Sequence, residues 1–257
     1  DLLGAQLDEA IDAQRAGATS KERIAVILGG TSFERHISVE SGRNIYEKLS
    51  SSETYRPIPV FLTDTPMTAL STTQLPTTHY SLFQLPINLL LKDNADDISD
   101  KLVKTEEHPV VADIREACAG ITARFADPDV VFHPRALAWE ALPDVADGVF
   151  IALHGRPGED GQVQAKLEPL GLYYNGSGIA SSQVTINKHD TLIALREAGL
   201  PVTEQWLATA DEFIEDEYAF YDKVERLFGY PLIAKPVDDG CSSAVKLIKQ
   251  RDELHAY

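Results

Sequence analysis

Apolar residues recur along this chain in two registers, short unbroken runs and helical stripes. Their alternation sets out an α/β order. The run at residues 24–30, IAVILGG, ends in two glycines and predicts a buried parallel strand followed by a tight turn. Val39, Gly42, Tyr46 and Leu49 form one stripe, predicting a helix over 38–49 with Ser38 as its N-cap. The run at 58–62 predicts a second strand, so the opening is a βαβ unit. Upstream, Leu3, Leu7 and Ile11 stand four apart and predict a short helix over 1–15, with 17–21 as a linker. Residues 1–22 read as the tail of something that precedes them.

Residues 63–147 are rich in Thr, Pro and Asp and read as an insertion, with some helix expected at 98–103 and 113–119. Regular patterning resumes with a buried strand over 148–153, GVFIAL, which runs into the polar loop HGRPGEDG at 154–161. A helix starts near Gln162, and Pro169 keeps it short or bent. Asn187 caps a helix that stops at Ala198, ahead of Gly199 and Pro201. Beyond it the pattern predicts a strand at 205–208, a helix at 211–228 and a strand at 231–235. A polar loop at 237–243, a returning strand at 244–248 and a helix from Asp252 complete the chain. The reading is an α/β protein: a Rossmann-like parallel-sheet domain over 23–184, carrying the insertion, then a smaller α+β domain over 185–257.

Composition narrows the function classes. The chain has 257 residues, enough for two ordinary domains, and a net charge of −17. That charge argues against nucleic acid and against an anionic membrane surface, which both need clustered Lys and Arg. No apolar run reaches the length of a membrane span, and residues 1–20 lack the apolar core of a signal peptide. Cys118 and Cys241 make no disulfide framework, so a reducing, cytoplasmic compartment is expected.

The candidate chemistry sits where strands end. Glu34 follows the Gly29–Gly30 turn, at the edge where open α/β sheets bind ligands, and its carboxylate suits a substrate ammonium. The ordinary alternative is a solvated loop acid. His154 ends the IALHG strand and suits a substrate carboxylate; a structural histidine is the alternative. Lys188 and Lys235 are phosphate candidates. Lys235 ends an apolar strand, where an ammonium is costly unless it meets an anion. Gly240, Cys241, Ser242 and Ser243 follow in a loop whose backbone N–H groups suit phosphate oxygens. Lys188 otherwise reads as an exposed helix lysine, and Cys241 as a small buried residue.

Four segments then occur in one order: GGTSFERHIS at 29–38, ALHGRPGEDG at 152–161, YNGSGIASS at 174–182 and the strand and loop around Lys235. This ordered set resembles the D-alanine–D-alanine ligases of the ATP-grasp superfamily. The resemblance covers 23–62 and 148 onward. It implies that Glu34 contacts the ammonium of the first D-alanine and His154 its carboxylate, and that Lys188 and Lys235 bind ATP phosphates. It also implies that 240–244 closes over the γ-phosphate. Glu34 and Cys241 are the catalytic candidates it supplies. The implied reaction activates one D-alanine as an acyl phosphate, which the amine of a second then attacks. ATP and Mg²⁺ are the implied cofactors, with the metal ligands, the adenine hinge and a phosphoryl-stabilising arginine expected beyond residue 257. The chain by itself is therefore expected to bind ATP poorly and not to turn over.

The chain departs from the family pattern at three places. Cys241 stands where a serine is usual, Ala244 where a glycine is usual, and His36 where an acid is usual. Large, insertion-bearing members share the Asp-Gly-Cys-Ser loop. Two other readings stay open: a ligase joining other amino acids, and a degenerate unit acting as a non-catalytic binding or regulatory domain. Small-molecule substrates are the expected partners, and a homodimer through the first domain is compatible with the family.

Overall fold

The structure is a computed structural model that describes residues 2–64, 80–103, 109–126, 129–238, 240 and 244–255. The chain divides into two compact units, Asp1–Ile179 and Ala180–Tyr257. The first opens with α1 (Leu2–Ser20), β1 (Glu22–Gly29), α2 (Arg35–Ser50) and β2 (Tyr55–Thr63). It continues with β3 (Ser81–Gln84), α3 (Ile87–Lys92), α4 (Ala95–Val103), α5 (Pro109–Ala117), α6 (Ala119–Phe125) and β4 (Arg135–Leu137). After α7 (Leu142–Val145) come β5 (Gly148–Ile151), α8 (Gln162–Leu167) and β6 (Tyr173–Tyr174).

The six strands form one sheet in the order β4-β3-β2-β1-β5-β6. The pairs β1–β2, β1–β5 and β5–β6 are parallel, whereas β2–β3 and β3–β4 are antiparallel. The sheet is thus parallel-dominated, with an antiparallel wing. Alternation along β1 sorts the core into two layers. Ala25 and Ile27 face a cluster with Ile58, Val60, Leu142, Val149 and Leu167. Val26 and Leu28 face the other way, onto Val39, Phe61, Phe83, Leu90, Ile98 and Leu102. A strand buried on both faces has no polar side, which is why residues 24–30 read as an unbroken apolar run.

Several expectations change. The linker expected at 17–21 is mostly helix, because α1 runs to Ser20. The segment read as an insertion is built into the sheet: it supplies β3 and β4 and the core residues of α3 and α4. Strands of four and three residues are too short to announce themselves by period. Ser38 is not the N-cap of α2; Glu34 holds that position, and its side chain makes no capping bond. Ser38 instead lies fully buried one turn in. Its Oγ accepts from Gly29 N at 2.9 Å and donates to the Ala152 carbonyl at 3.0 Å, tying β1, α2 and the end of β5 together.

Leading into the second unit is α9 (Ile179–Thr185), then α10 (Lys188–Glu197), α11 (Ala210–Glu215), α12 (Glu217–Leu227), β7 (Leu232–Ala234), β8 (Lys246–Ile248) and α13 (Arg251–His255). β7 and β8 pair antiparallel. Asn187 caps α10 as expected, its Oδ1 accepting from His189 N at 2.9 Å and Asp190 N at 3.1 Å. The helix expected over 211–228 is two. Thr209 and Glu212 form a capping box on α11, and extended Asp216 breaks the run and caps α12 through Ala219 N. The strand expected at 205–208 is absent; Gln205 Nε2 bonds the His189 carbonyl and the Trp206 ring packs 5.2 Å from that of Phe220. No helix among the described residues is long and apolar enough to cross a membrane.

Candidate active site

In the first unit, α2 carries the chain from β1 to β2 on one side, while β5 pairs on the other side of β1. The strand order therefore reverses between β1 and β5, and the loops leaving their carboxyl ends flank a topological switch point. Open α/β sheets bind ligands in that crevice. The loop after β1 is 30–34 and the loop after β5 starts at Ala152. Gly29 at φ +93° makes the first turn, and a Cβ there would lie 2.5 Å from the Phe61 ring and 2.9 Å from the Leu62 carbonyl. No side chain fits that approach.

Glu34 and His154, chosen from sequence, stand on these two loops. A Cβ on Gly155 would lie 3.2 Å from Glu34 Oε2, so the carboxylate rests directly against the glycine that follows His154. Among the described residues, that carboxylate makes no hydrogen bond or ion pair of its own. Ser32 fixes the arrangement: its Oγ donates to the His154 carbonyl at 2.7 Å and accepts from Glu34 N at 3.1 Å. His154 Nε2 lies 2.8 Å from Ser41 Oγ, in the second turn of α2. Either group can donate in this contact; in the tautomer where the hydroxyl donates to Nε2, the neutral ring carries its proton on Nδ1 and can donate there to an anion.

The loop that follows is internally braced. Buried Asp160 accepts from Gln162 N at 3.1 Å, Gln162 Nε2 at 2.6 Å and Arg156 Nη1 at 3.1 Å. Gln164 Nε2 donates to the Gly158 carbonyl at 2.8 Å. Beyond β6, Asn175 continues the strand pairing with its side chain: Oδ1 accepts from Ile151 N at 2.6 Å and Nδ2 donates to its carbonyl at 3.3 Å. Sequence reasoning missed Ser32, Ser41, Asp160 and Asn175. The available signal was the small-residue set Ser38, Ser41 and Gly42 on one face of α2, which marks close approach to the sheet.

His36, where an acid was expected, lies 3.5 Å from Asp96 Oδ2 across to α4. Arg35 Nε pairs with the same carboxylate at 2.8 Å, and this hydrogen bond holds the Asp96 carboxyl below its usual range.

In the second unit, Lys188 N donates to the Val237 carbonyl at 2.8 Å, which sets the start of α10 beside the turn that leaves β7. Lys188 is half-buried. Lys235 is exposed, which removes the argument that its ammonium is buried and therefore needs an anion. Its candidacy rests instead on standing two residues from the carbonyl that Lys188 N engages. Gly240 is exposed; Cys241, Ser242 and Ser243 lie outside the described residues. Ala244, where a glycine was expected, is held at φ +51°, a left-handed conformation that L side chains rarely adopt.

A parallel-dominated α/β domain with a carboxylate and an imidazole on the loops at its switch point has the architecture in which open α/β sheets bind small molecules. Comparison with known proteins makes this particular. The family model described as "D-ala D-ala ligase N-terminus" matches residues 23–177, and the chain belongs to that ligase family. It is 28% identical to the D-alanine–D-alanine ligase of Chlorobium limicola over 229 residues, which covers 89% of this chain and 55% of that protein. The chain thus spans about half the length of the curated relatives it matches. Its fold is similar to the Coxiella burnetii D-alanine–D-alanine ligase, with a TM-score of 0.55, 24% identity and coverage of 92% of this chain and 59% of that one. It is also similar to the VanG D-Ala:D-Ser ligase of Enterococcus faecalis, with a TM-score of 0.56, 21% identity and coverage of 92% and 58%.

Proposed function

We propose that the chain is the amino-acid-binding part, and one portion of the nucleotide-binding part, of an ATP-dependent D-alanine–D-alanine ligase that serves peptidoglycan precursor synthesis. The observation that carries this reading is the Glu34 carboxylate lying against Gly155, the residue after His154, on the loops that flank the switch point. A zwitterionic amino acid needs an anion for its ammonium and a donor for its carboxylate, a few ångströms apart. Glu34 supplies the first. His154, with Nε2 engaged by Ser41, supplies the second through Nδ1. The bracing by Ser32 and Ser38 fixes both loops before substrate arrives, so little ordering is left for binding to offset.

The second unit carries the phosphate function in this reading. Lys188 and Lys235 stand on elements joined by the Lys188–Val237 hydrogen bond, and an exposed ammonium is available to a phosphate. When bound, ATP supplies the phosphoryl group that activates the amino-acid carboxylate. Cys241, on the loop that would close over it, is the second catalytic candidate. Among the described residues no three His, Cys, Asp or Glu side chains gather to hold a metal ion.

Titration calorimetry of D-alanine and L-alanine tests the reading. D-alanine is expected to bind more tightly than L-alanine. Glu34→Ala is expected to weaken D-alanine by about tenfold to a hundredfold, the range of a charge-assisted hydrogen bond. Equal binding by Glu34→Ala would falsify the assignment. Lys235→Ala is expected to weaken ATP and leave D-alanine unaffected. The isolated chain is expected to release no dipeptide from ATP and D-alanine. A second reading, a non-catalytic binding unit, draws on Ala244: a phosphate loop strained at φ +51° is a plain departure from a working closure. It predicts D-alanine binding with no ATP response in any form of the protein.

A further inference from the structure

A cavity of about 440 Å³ opens at the opposite edge of the sheet from the switch point. It is walled by the start of β2, the last turns of α2 and the stretch before β4. Its α2 residues Tyr46 and Ser50 stand about 18 and 24 Å along the helix from Glu34, at about 1.5 Å per residue. Its volume falls in the range of small-molecule sites, about 300–1,000 Å³.

Arg56 is the informative residue of its wall. The side chain is only 14% exposed, and Nη2 is paired with Asp129. Among the described residues Nε and Nη1 are buried with no acceptor. Other arginines of this unit do better. Arg23 engages both Asp147 oxygens and the Asp144 carbonyl, and Arg43 reaches the Leu90 and Asp93 carbonyls and Glu40. A buried guanidinium donor without an acceptor is costly, and native structures leave few of them. Lys21 adds a second cation to the wall, its Nζ anchored on the Ser52 carbonyl at 2.7 Å. Two cations against the single Asp129 make this a locally positive recess in a chain of net charge −17. Tyr46, Tyr55, Ile87 and Val130 give the rest of the wall an apolar and aromatic character.

We propose that this cavity binds a small molecule that joins one oxyanion, a carboxylate or a phosphate, to an apolar body of about ring size. The anion takes one orphan donor of Arg56, Nη1, which a rotation of the last side-chain torsions turns toward the cavity. Lys21 adds its charge, and the tyrosines cover the ring. The site is separate from the D-alanine rim and does not depend on that assignment.

Calorimetric titration of the full 257-residue chain with phenyl phosphate, benzoate and benzyl alcohol tests it. At least one anion is expected to bind at least tenfold more tightly than the neutral alcohol, and the tighter one identifies the oxyanion. Arg56→Gln is expected to weaken it tenfold or more, and Lys21→Met to weaken it less. Should Arg56→Gln fail to fold by circular dichroism, an unchanged isotherm in Lys21→Met overturns the proposal. So does equal binding of the alcohol, or a phenyl phosphate signal lost with Lys235→Ala and retained with Arg56→Gln.

Discussion

Glu34 shows how much one backbone position decides. As the N-cap residue of α2, an acidic side chain would ordinarily bond the helix's free N–H groups, yet this one does not. The Glu34 carbonyl accepts the first intrahelical bond, from Ser38 N at 2.9 Å, and among the described residues its carboxylate has no bonded partner. Ser41 acts one step back, as a positioning residue for His154. Removing its hydroxyl in Ser41→Ala is expected to weaken D-alanine about threefold to tenfold, the worth of one net hydrogen bond. D-alanine affinity measured beside an unchanged melting temperature would separate that from a general loss of fold. Asn187 is a simpler case. It satisfies two N–H groups of α10, and Asn187→Ala is expected to cost about 1 kcal/mol in urea unfolding. Ala244 runs the other way. Left-handed alanine costs about 1–2 kcal/mol, while glycine gives back about 0.5–1 in chain entropy. Ala244→Gly is therefore expected to raise stability by up to about 1.5 kcal/mol, and a lower melting temperature would count against the strain.

At the scale of elements, the contact of α2 with β1 is set by what is missing. A Cβ at Gly42 would lie 2.7 Å from Leu28 Cβ, an atom too near the backbone to swing aside. Gly42→Ala gains about 1 kcal/mol of helix propensity but faces overpacking of about 1–3 kcal/mol. A net loss of stability is expected, with weaker D-alanine binding as α2 and Glu34 shift together; a more stable variant would contradict this contact. The same scale explains what the sequence showed and hid. β1, β2 and β5 were legible because strands buried on both faces are unbroken apolar runs. β3 and β4 were not, because four and three residues carry no readable period and their apolar character comes from Leu82, Phe83 and Leu137 alone. The break between α11 and α12 rests on the Asp216 side chain competing for backbone N–H groups, a local choice that periodicity passes over.

For the first unit as a whole, register depends on a long-range knot. Arg23 Nε and Nη2 engage both oxygens of Asp147 at 3.1 and 2.7 Å, Arg23 N adds a third bond at 2.8 Å, and Asp147 N returns one to the Arg23 carbonyl at 2.8 Å. These residues are 124 apart in sequence and immediately precede the paired Ile24 and Gly148. The Arg23 side chain and backbone bonds hold the Asp147 carboxyl below the usual carboxylate range. A depressed folded value means the stabilisation is complete above the ordinary value, about 3.9, and is lost as pH falls below it. The melting temperature is expected to fall over that acid range, and Asp147→Asn to fall less steeply. Parallel curves for the two proteins would show that the pair contributes little, as half-exposed pairs often do.

The sequence by itself determined the βαβ opening, the strand that ends at the His154 loop and the capped start of α10. It also singled out Glu34 and His154, because burial on both faces and capping chemistry are written in residue type. Only the tertiary structure decided that the Glu34 carboxylate lies against Gly155, that residues 81–103 complete the core and that Lys235 is exposed. Each of those depends on which strands lie side by side, and pairing between distant segments is set by the packing of the whole rather than by any local run of residues.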